Sequence, residues 1–370
     1  MNRRTVYVIS SILATLFLSG SLAGLAVAVG NSWITESLMP TARYNLGAAA
    51  VNGKIYALGG HKANVGAIGT NEQYDPTTDT WTPKTSMPTP REAFAIAVWQ
   101  NKIYVFGGLG PSGMITTTHV YDPESDSWST KASLPTSRIF LSASVVNDKI
   151  YLIGGESSPS NQTISKNEVY DPLENSWTTE TPLPTSVCGH VSAVIDDKIY
   201  VLGGYAESGT TNLNQVYDPV SDTWTNKTTM PNGVEFAAGG ATSGVNASKM
   251  IYVFGGSSSS ESALDYTQAY NPQNDSWTAG SPMPTGRNNL AAGIVEEKLF
   301  AIGGLSIYAL KTTEEYTPIG YISEFPTLLF VPFFMTLAML ASTICRKRLR
   351  RPASADASSP VRATQFRVSS

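Results

Sequence analysis

Six Gly-Gly pairs, at 59–60, 107–108, 154–155, 203–204, 255–256 and 303–304, punctuate the 370-residue chain at spacings of 48, 47, 49, 52 and 48 residues. Each pair ends an apolar strand such as Lys54-Ile-Tyr-Ala-Leu58. A Tyr, a turn and a Trp follow in order: Tyr74…Trp81, Tyr121…Trp128, Tyr170…Trp177, Tyr217…Trp224 and Tyr270…Trp277. Short strands and turn signals at a 40–50-residue period predict a propeller with one four-stranded sheet per repeat. Strand a of each repeat is apolar, and Asn52-Gly53, Asn147-Asp148 and Asp196-Asp197 suit tight type I′ turns into strand b. The Gly-Gly pairs allow backbones to crowd at the axis, and the Tyr and Trp are expected to wedge between sheets.

The last repeat has Gly303-Gly304 and Tyr316 but no Trp after Thr317-Pro318. Asn31-Ser-Trp33 lies at the other end, 48 residues before Trp81. Strand d of the sixth blade is therefore expected from the N-terminal side, sealing a six-bladed ring. Both ends of the ring then leave from the face holding the a–b and c–d turns, and the b–c and d–a loops form the opposite, outward face.

The Gly-Gly, Tyr, Trp order and the Met-Pro-x-x-Arg link (Met39-Pro40-x-x-Arg43) resemble the kelch family over residues 31–318. The resemblance implies an all-β, six-bladed kelch-type β-propeller used as a binding scaffold. In some kelch proteins, arginines in this link line the channel mouth and grip acidic ligands, which makes Arg43, Arg91, Arg138 and Arg287 candidate ligand-binding residues. A comparison of repeats supports a structural role as well, since a tethered Arg can still present spare N–H groups. Two residues before each strand-c Tyr stand Glu72, His119, Glu168, Gln215, Gln268 and Glu314. Where the link carries Val187 or Val234, the partner is Gln; where it carries Arg, the partner is Glu in three of four blades. Joint loss of both charges suits buried pairs Arg43–Glu72, Arg138–Glu168 and Arg287–Glu314.

The b–c loops differ in sequence while the strands repeat, and variable polar loops on a rigid scaffold carry binding specificity. Tyr205, Tyr266 and Tyr308 lie in or beside them as candidate contacts for a sugar or a partner side chain. Catalysis finds little support. The three histidines, His61, His119 and His190, fall in three different blades, and Cys188 reads as a buried strand residue. The copper set required by a galactose-oxidase-like enzyme is missing, so no metal and no cofactor is expected. An extracytoplasmic carbohydrate-active enzyme, of that kind or resembling kelch-type sialic-acid epimerases, is the alternative to a binding module.

The flanks carry a different message. Arg3-Arg4 precedes an uncharged stretch to Gly30, the layout of a signal peptide or signal anchor. Phe325–Cys345 is a second uncharged run of 21 residues, ended by the basic cluster at 346–351. The domain reading is 1–30 signal or anchor, 31–318 propeller, 319–324 linker, 325–345 transmembrane helix and 346–370 cytoplasmic tail, with the propeller outside the cell membrane. Ser323-Glu324-Phe325, the apolar run and the basic cluster together resemble archaeal PEF-type sorting tails. Removing the flanks' nine bases and one acid from totals of 25 and 29 leaves 16 bases against 28 acids, a net charge of −12 on the body. Such a body repels nucleic acid, so the expected partners are a protein or glycan on the outward face, and the membrane. Asn161, Asn226, Asn246 and Asn274 head N-x-S/T sequons and are possible glycosylation sites.

Overall fold

The computed structural model describes residues 30–157 and 162–322. The flanking segments expected as membrane elements, and Asn161, lie outside the described residues. Among the described residues no helix is long and apolar enough to cross a membrane.

Each repeat folds into an antiparallel four-stranded sheet, giving six blades. Blade 1 is Gly47–Val51, Lys54–Leu58, Asn71–Asp75 and Thr80–Lys84, strands a to d from hub to rim. In blade 6 the order is Ala291–Val295, Lys298–Ile302, Thr313–Thr317 and then Ser32–Thr35, with Trp33 opposite Tyr316. The N-terminal strand thus completes the last blade in the expected register. The Asn31 N–H donates to the Thr317 carbonyl at 2.8 Å, so the two ends of the ring lie side by side. Beyond Pro318 the chain stays on the propeller: Ile319 N donates to Tyr252 Oη (3.1 Å) and Ile322 N to the Asn246 carbonyl (2.7 Å).

The outer strands explain why Tyr and Trp recur. Each strand-c Tyr of this motif is buried, and its blade's Trp tilts over it at a centroid distance of 4.9–5.1 Å. The Trp81 indole N–H reaches back to the Ser37 carbonyl of the preceding blade (2.9 Å), and Trp33 does the same to Ser281 (3.0 Å). Five residues after the Tyr stands an Asp or Asn at positive φ. Asp79 Oδ1 accepts from Tyr74 Oη (2.8 Å) and from Ser37 N (2.8 Å), tying turn, blade and neighbour at one atom. Those bonds, the Ser37 N–H foremost, hold its carboxyl below the usual range. Asn31 fills this position for blade 6, accepting from Tyr316 Oη at 2.8 Å.

Blade 5 departs from the expected tight turn in every repeat. Its strands a and b, Ala238–Ala241 and Ile251–Phe254, are joined by a loop, Thr242 to Met250, in place of two residues. Thr242 Oγ1 donates to the Ser248 carbonyl (2.6 Å), closing the loop locally. This insertion accounts for the long 52-residue spacing between the fourth and fifth Gly-Gly pairs.

The hub is lined by one small or aliphatic side of each strand a. Ala48, Ile96, Ala143, Ser192, Gly239 and Ala292 surround a cavity of about 220 Å³.

Candidate functional site

The outward face is built on the d–a links. All twelve glycines of the Gly-Gly pairs have positive φ, and their geometry is inter-blade. Gly60 N donates to the Arg91 carbonyl of the next blade (2.9 Å), and Gly304 N closes the circuit on Arg43 (2.9 Å). A Cβ at Gly59 would sit 2.7 Å from that same Arg91 carbonyl, so only glycine fits.

Two residues beyond each Arg or Val lies a second ring that sequence reasoning missed. Asn45, Ala93, Phe140, Gly189, Phe236 and Asn289 all have φ between 50° and 59°. Each N–H donates to the carbonyl of the equivalent residue in the preceding blade, from Ala93 on Asn45 (2.9 Å) round to Asn45 on Asn289 (2.9 Å). Six hydrogen bonds close a hoop at the channel mouth. The Phe140 and Phe236 rings meet edge to face at 4.8 Å above Gly189, where a Cβ would strike the Phe236 ring at 2.6 Å. Its only sequence signal is a residue of varied type at a constant offset from the link Arg.

The arginines point inward. Arg43 Nη1 lies 2.8 Å from Glu72 Oε2 and Nη2 donates to the Ala57 carbonyl (2.9 Å). Arg138 and Arg287 meet Glu168 and Glu314 at 3.0 and 3.1 Å. The second carboxylate oxygen accepts from a Thr two residues before the Arg: Thr41 to Glu72 (2.7 Å), Thr136 to Glu168 (2.5 Å), Thr285 to Glu314 (2.7 Å). In blades 4 and 5 the Gln amide replaces this arrangement. Gln215 accepts from Thr185 N (2.9 Å) and donates to its carbonyl (3.2 Å), and Gln268 does likewise on Asn232. Blade 2 has no carboxylate partner: Arg91 Nη1 donates to the Gly107 and Thr117 carbonyls (3.0 and 2.8 Å), and burial pulls its guanidinium down to about 10. All four arginines are 0% exposed, so they offer no atom to an acidic ligand at the mouth. That corrects the expectation that they grip one: a guanidinium turned into the blade and capped by backbone carbonyls has nothing left at the surface.

The three tyrosines are on the outward face, 44% (Tyr205), 37% (Tyr266) and 78% (Tyr308) exposed. Tyr205 is pinned by backbone bonds to Cys188 (2.8 and 3.0 Å), and Tyr266 lines a cavity of about 120 Å³ with Pro231, Asn232 and Pro282. Of the sequons, Asn226 and Asn274 are exposed and Asn246 is half-buried.

Around the mouth, Glu156 and Glu235 are half-buried, and burial raises both carboxyls above their usual range. Burial also pushes the Cys188 thiol up to about 12, which suits packing and not nucleophilic attack. His119 and His190 are buried and pulled down to about 4, by desolvation and then by Arg91 and Arg138 respectively. Among the described residues no three His, Cys, Asp or Glu side chains converge to hold a metal.

A family profile described as the Attractin/LZTR1 beta-propeller matches residues 117–319, more than half of the chain, and one described as the KLHDC2/KLHL20/DRC7 Kelch-repeats domain matches residues 29–155. The chain belongs to the kelch-repeat β-propeller family. An F-box/kelch-repeat protein of Arabidopsis thaliana is 32% identical over 78 residues, which span 21% of either chain. The solved structure of YjhT superposes with a TM-score of 0.65 at 18% identity, covering 76% of this chain and 95% of that one, and so speaks to the fold alone.

Proposed function

We propose that this kelch propeller is a membrane-anchored, extracytoplasmic binding module that recognises a protein or a glycan through its outward b–c and d–a loops. The observation that carries the reading is a division of labour between repeated and unrepeated residues. The repeated Gly, Tyr, Trp, Arg and Glu are spent on ring closure, whereas the outward loops bear different side chains in each blade on a rigid hoop. The uncharged flanking runs support anchoring, because the ring's two ends leave together from the opposite face. The four arginines then act as rivets within and between blades. In this reading the −12 body disfavours nucleic acid, and the sequons at Asn226, Asn246 and Asn274 are accessible to modification in varying degree.

The full chain in lipid nanodiscs, screened against glycans and surface proteins, tests the proposal. Tyr205→Ala and Tyr308→Ala are expected to weaken capture several-fold without moving the melting temperature. Capture unaffected by any outward-loop change would overturn it. A carbohydrate-active enzyme is the second reading, supported by Glu156 and Glu235, whose raised carboxyls suit proton donation. Turnover of a sugar lost on Glu→Gln at either position would favour that reading.

A further inference from the structure

One junction on the outward face breaks the sixfold pattern. After the Gly-Gly pairs come His61, Leu109, Glu156, Tyr205, Ser257 and Leu305, each bridged to the residue following a link Arg or Val. At the junction of blades 1 and 2 a His, a Glu and an Asn interlock across the boundary, whereas the Glu235 and Asn288 positions each hold a single loop contact, to Thr210 and to the Ser262 carbonyl. His61 Nδ1 lies 2.8 Å from Glu92 Oε1, and Glu92 Oε2 accepts from Asn45 Nδ2 at 2.8 Å. The Tyr44 ring stacks on His61 at 4.8 Å and 28°. Backbone bonds in both directions between Tyr44 and His61 (3.2 and 2.7 Å) fix the two rings, and Asn45 belongs to the hoop.

The chemistry comes from the carboxylate. The Glu92 carboxylate can only accept, so Nδ1 of His61 donates to it and Nε2 is the ring nitrogen left for a ligand. Among the described residues Nε2 has no hydrogen-bond partner, and neither does the Tyr44 hydroxyl; the His61 side chain is 28% exposed. The other two histidines spend Nε2 inside the protein, on Thr89 (3.1 Å) and Ser142 (2.8 Å). An oriented ring nitrogen and a phenol hydroxyl, both without a partner among the described residues, are thus carried on stacked rings. Both oxygens of Glu92 are committed, which leaves no free carboxylate there for a cation, and the acidic body repels anions.

We propose that Tyr44 and His61, oriented by Glu92 and Asn45, form the polar anchor of the outward face, with His61 Nε2 hydrogen-bonded to a carbohydrate hydroxyl. The inference rests on the binding reading above and names its ligand class. Full-length protein in nanodiscs on a glycan array tests it. His61→Phe keeps the stack and removes Nε2, and it is expected to lower affinity for the captured glycan at least ten-fold. Leu305→Ala, the equivalent position of blade 6, is expected to leave affinity unchanged. Glu92→Gln is a positioning change; besides weakened binding, the ¹⁵N signals of His61 in histidine-labelled chain should move while those of His119 and His190 stay. Wild-type affinity in His61→Phe overturns the anchor while leaving the binding reading intact. If the wild-type chain captures proteins and no glycan, the ligand class is wrong; if it captures neither, the binding reading falls with it.

Discussion

At the scale of single residues, the six blades are a natural mutational series. A buried Arg–Glu pair with backbone and Thr partners occupies three of them, and Val with Gln occupies two. Both solutions leave the carboxylate or amide satisfied, which is why the charges come and go together. Arg43→Val alone strands the Glu72 carboxylate and should cost about 3–5 kcal/mol in urea denaturation. Adding Glu72→Gln should recover most of that loss, a coupling readable from the double-mutant cycle. Blade 2 is the exception, with His119 facing an unneutralised Arg91. His119 and His190 stay neutral in the fold down to about pH 4, while an unfolded histidine protonates near 6.5. Their folded values are depressed, so the stability they permit is complete above pH 6.5 and is lost as pH falls from there towards 4, by up to about 3 kcal/mol each. Melting curves between pH 7 and 4 check this. His119→Glu, which supplies the carboxylate that other blades use, should shrink that loss.

Among the elements, the a–b hairpins show how turn chemistry was readable and where it misleads. Asn52-Gly53, Asn147-Asp148 and Asp196-Asp197 adopt positive φ at both positions, as their residue types favour. Gln100-Asn101 and Glu296-Glu297 take the same conformation although Gln and Glu are poor at it, because the flanking strands already dictate the register. Glu297 is compensated by accepting from Ser243 N (2.8 Å) in the long loop of blade 5. Glu296 has φ 50°. Glu296→Asn should therefore raise stability by about 0.5–1 kcal/mol, measured as a shift in the urea midpoint at constant m. Trp99, which ends the strand Ala95–Trp99 at such a hairpin, is 9% exposed and donates to Asp148 Oδ1 of the next blade at 3.1 Å. It packs under the turn.

For the whole molecule, everything rests on closing the circle. Strand Ser32–Thr35 is separated by more than 250 residues from the rest of its sheet, and Trp33 holds it there through Ser281, Phe254 and Tyr316. Trp33 is partly buried, so Trp33→Ala should destabilise by about 2–3 kcal/mol, below the figure for a fully buried aromatic. Trp277→Ala, its equivalent in blade 5, should match it; a loss under about 1 kcal/mol for Trp33→Ala would mean an open ring. Hydrogen exchange gives a second check, since amides of 32–35 should exchange as slowly as those of 276–279.

Architecture was legible because it is written six times. A periodic signal in Gly, Tyr and Trp survives local noise, and a missing Trp at one end with a surplus one at the other determines how the ring is sealed. The pairing of Arg with Glu could also be read, since it recurs with a consistent alternative. The site was much less visible. That the buried arginines leave no atom at the channel mouth depends on which way each side chain turns, and no spacing encodes that. The hoop at Asn45, Ala93, Phe140, Gly189, Phe236 and Asn289 is made by backbone groups, which leave no mark on residue type. His61 and Glu92 stand 31 positions apart in different repeats and meet only because adjacent blades curve onto one axis. Sequence determined the count, the order and the closure; the juxtaposition of unrepeated residues across a blade boundary, where any binding chemistry must lie, was decided by packing alone.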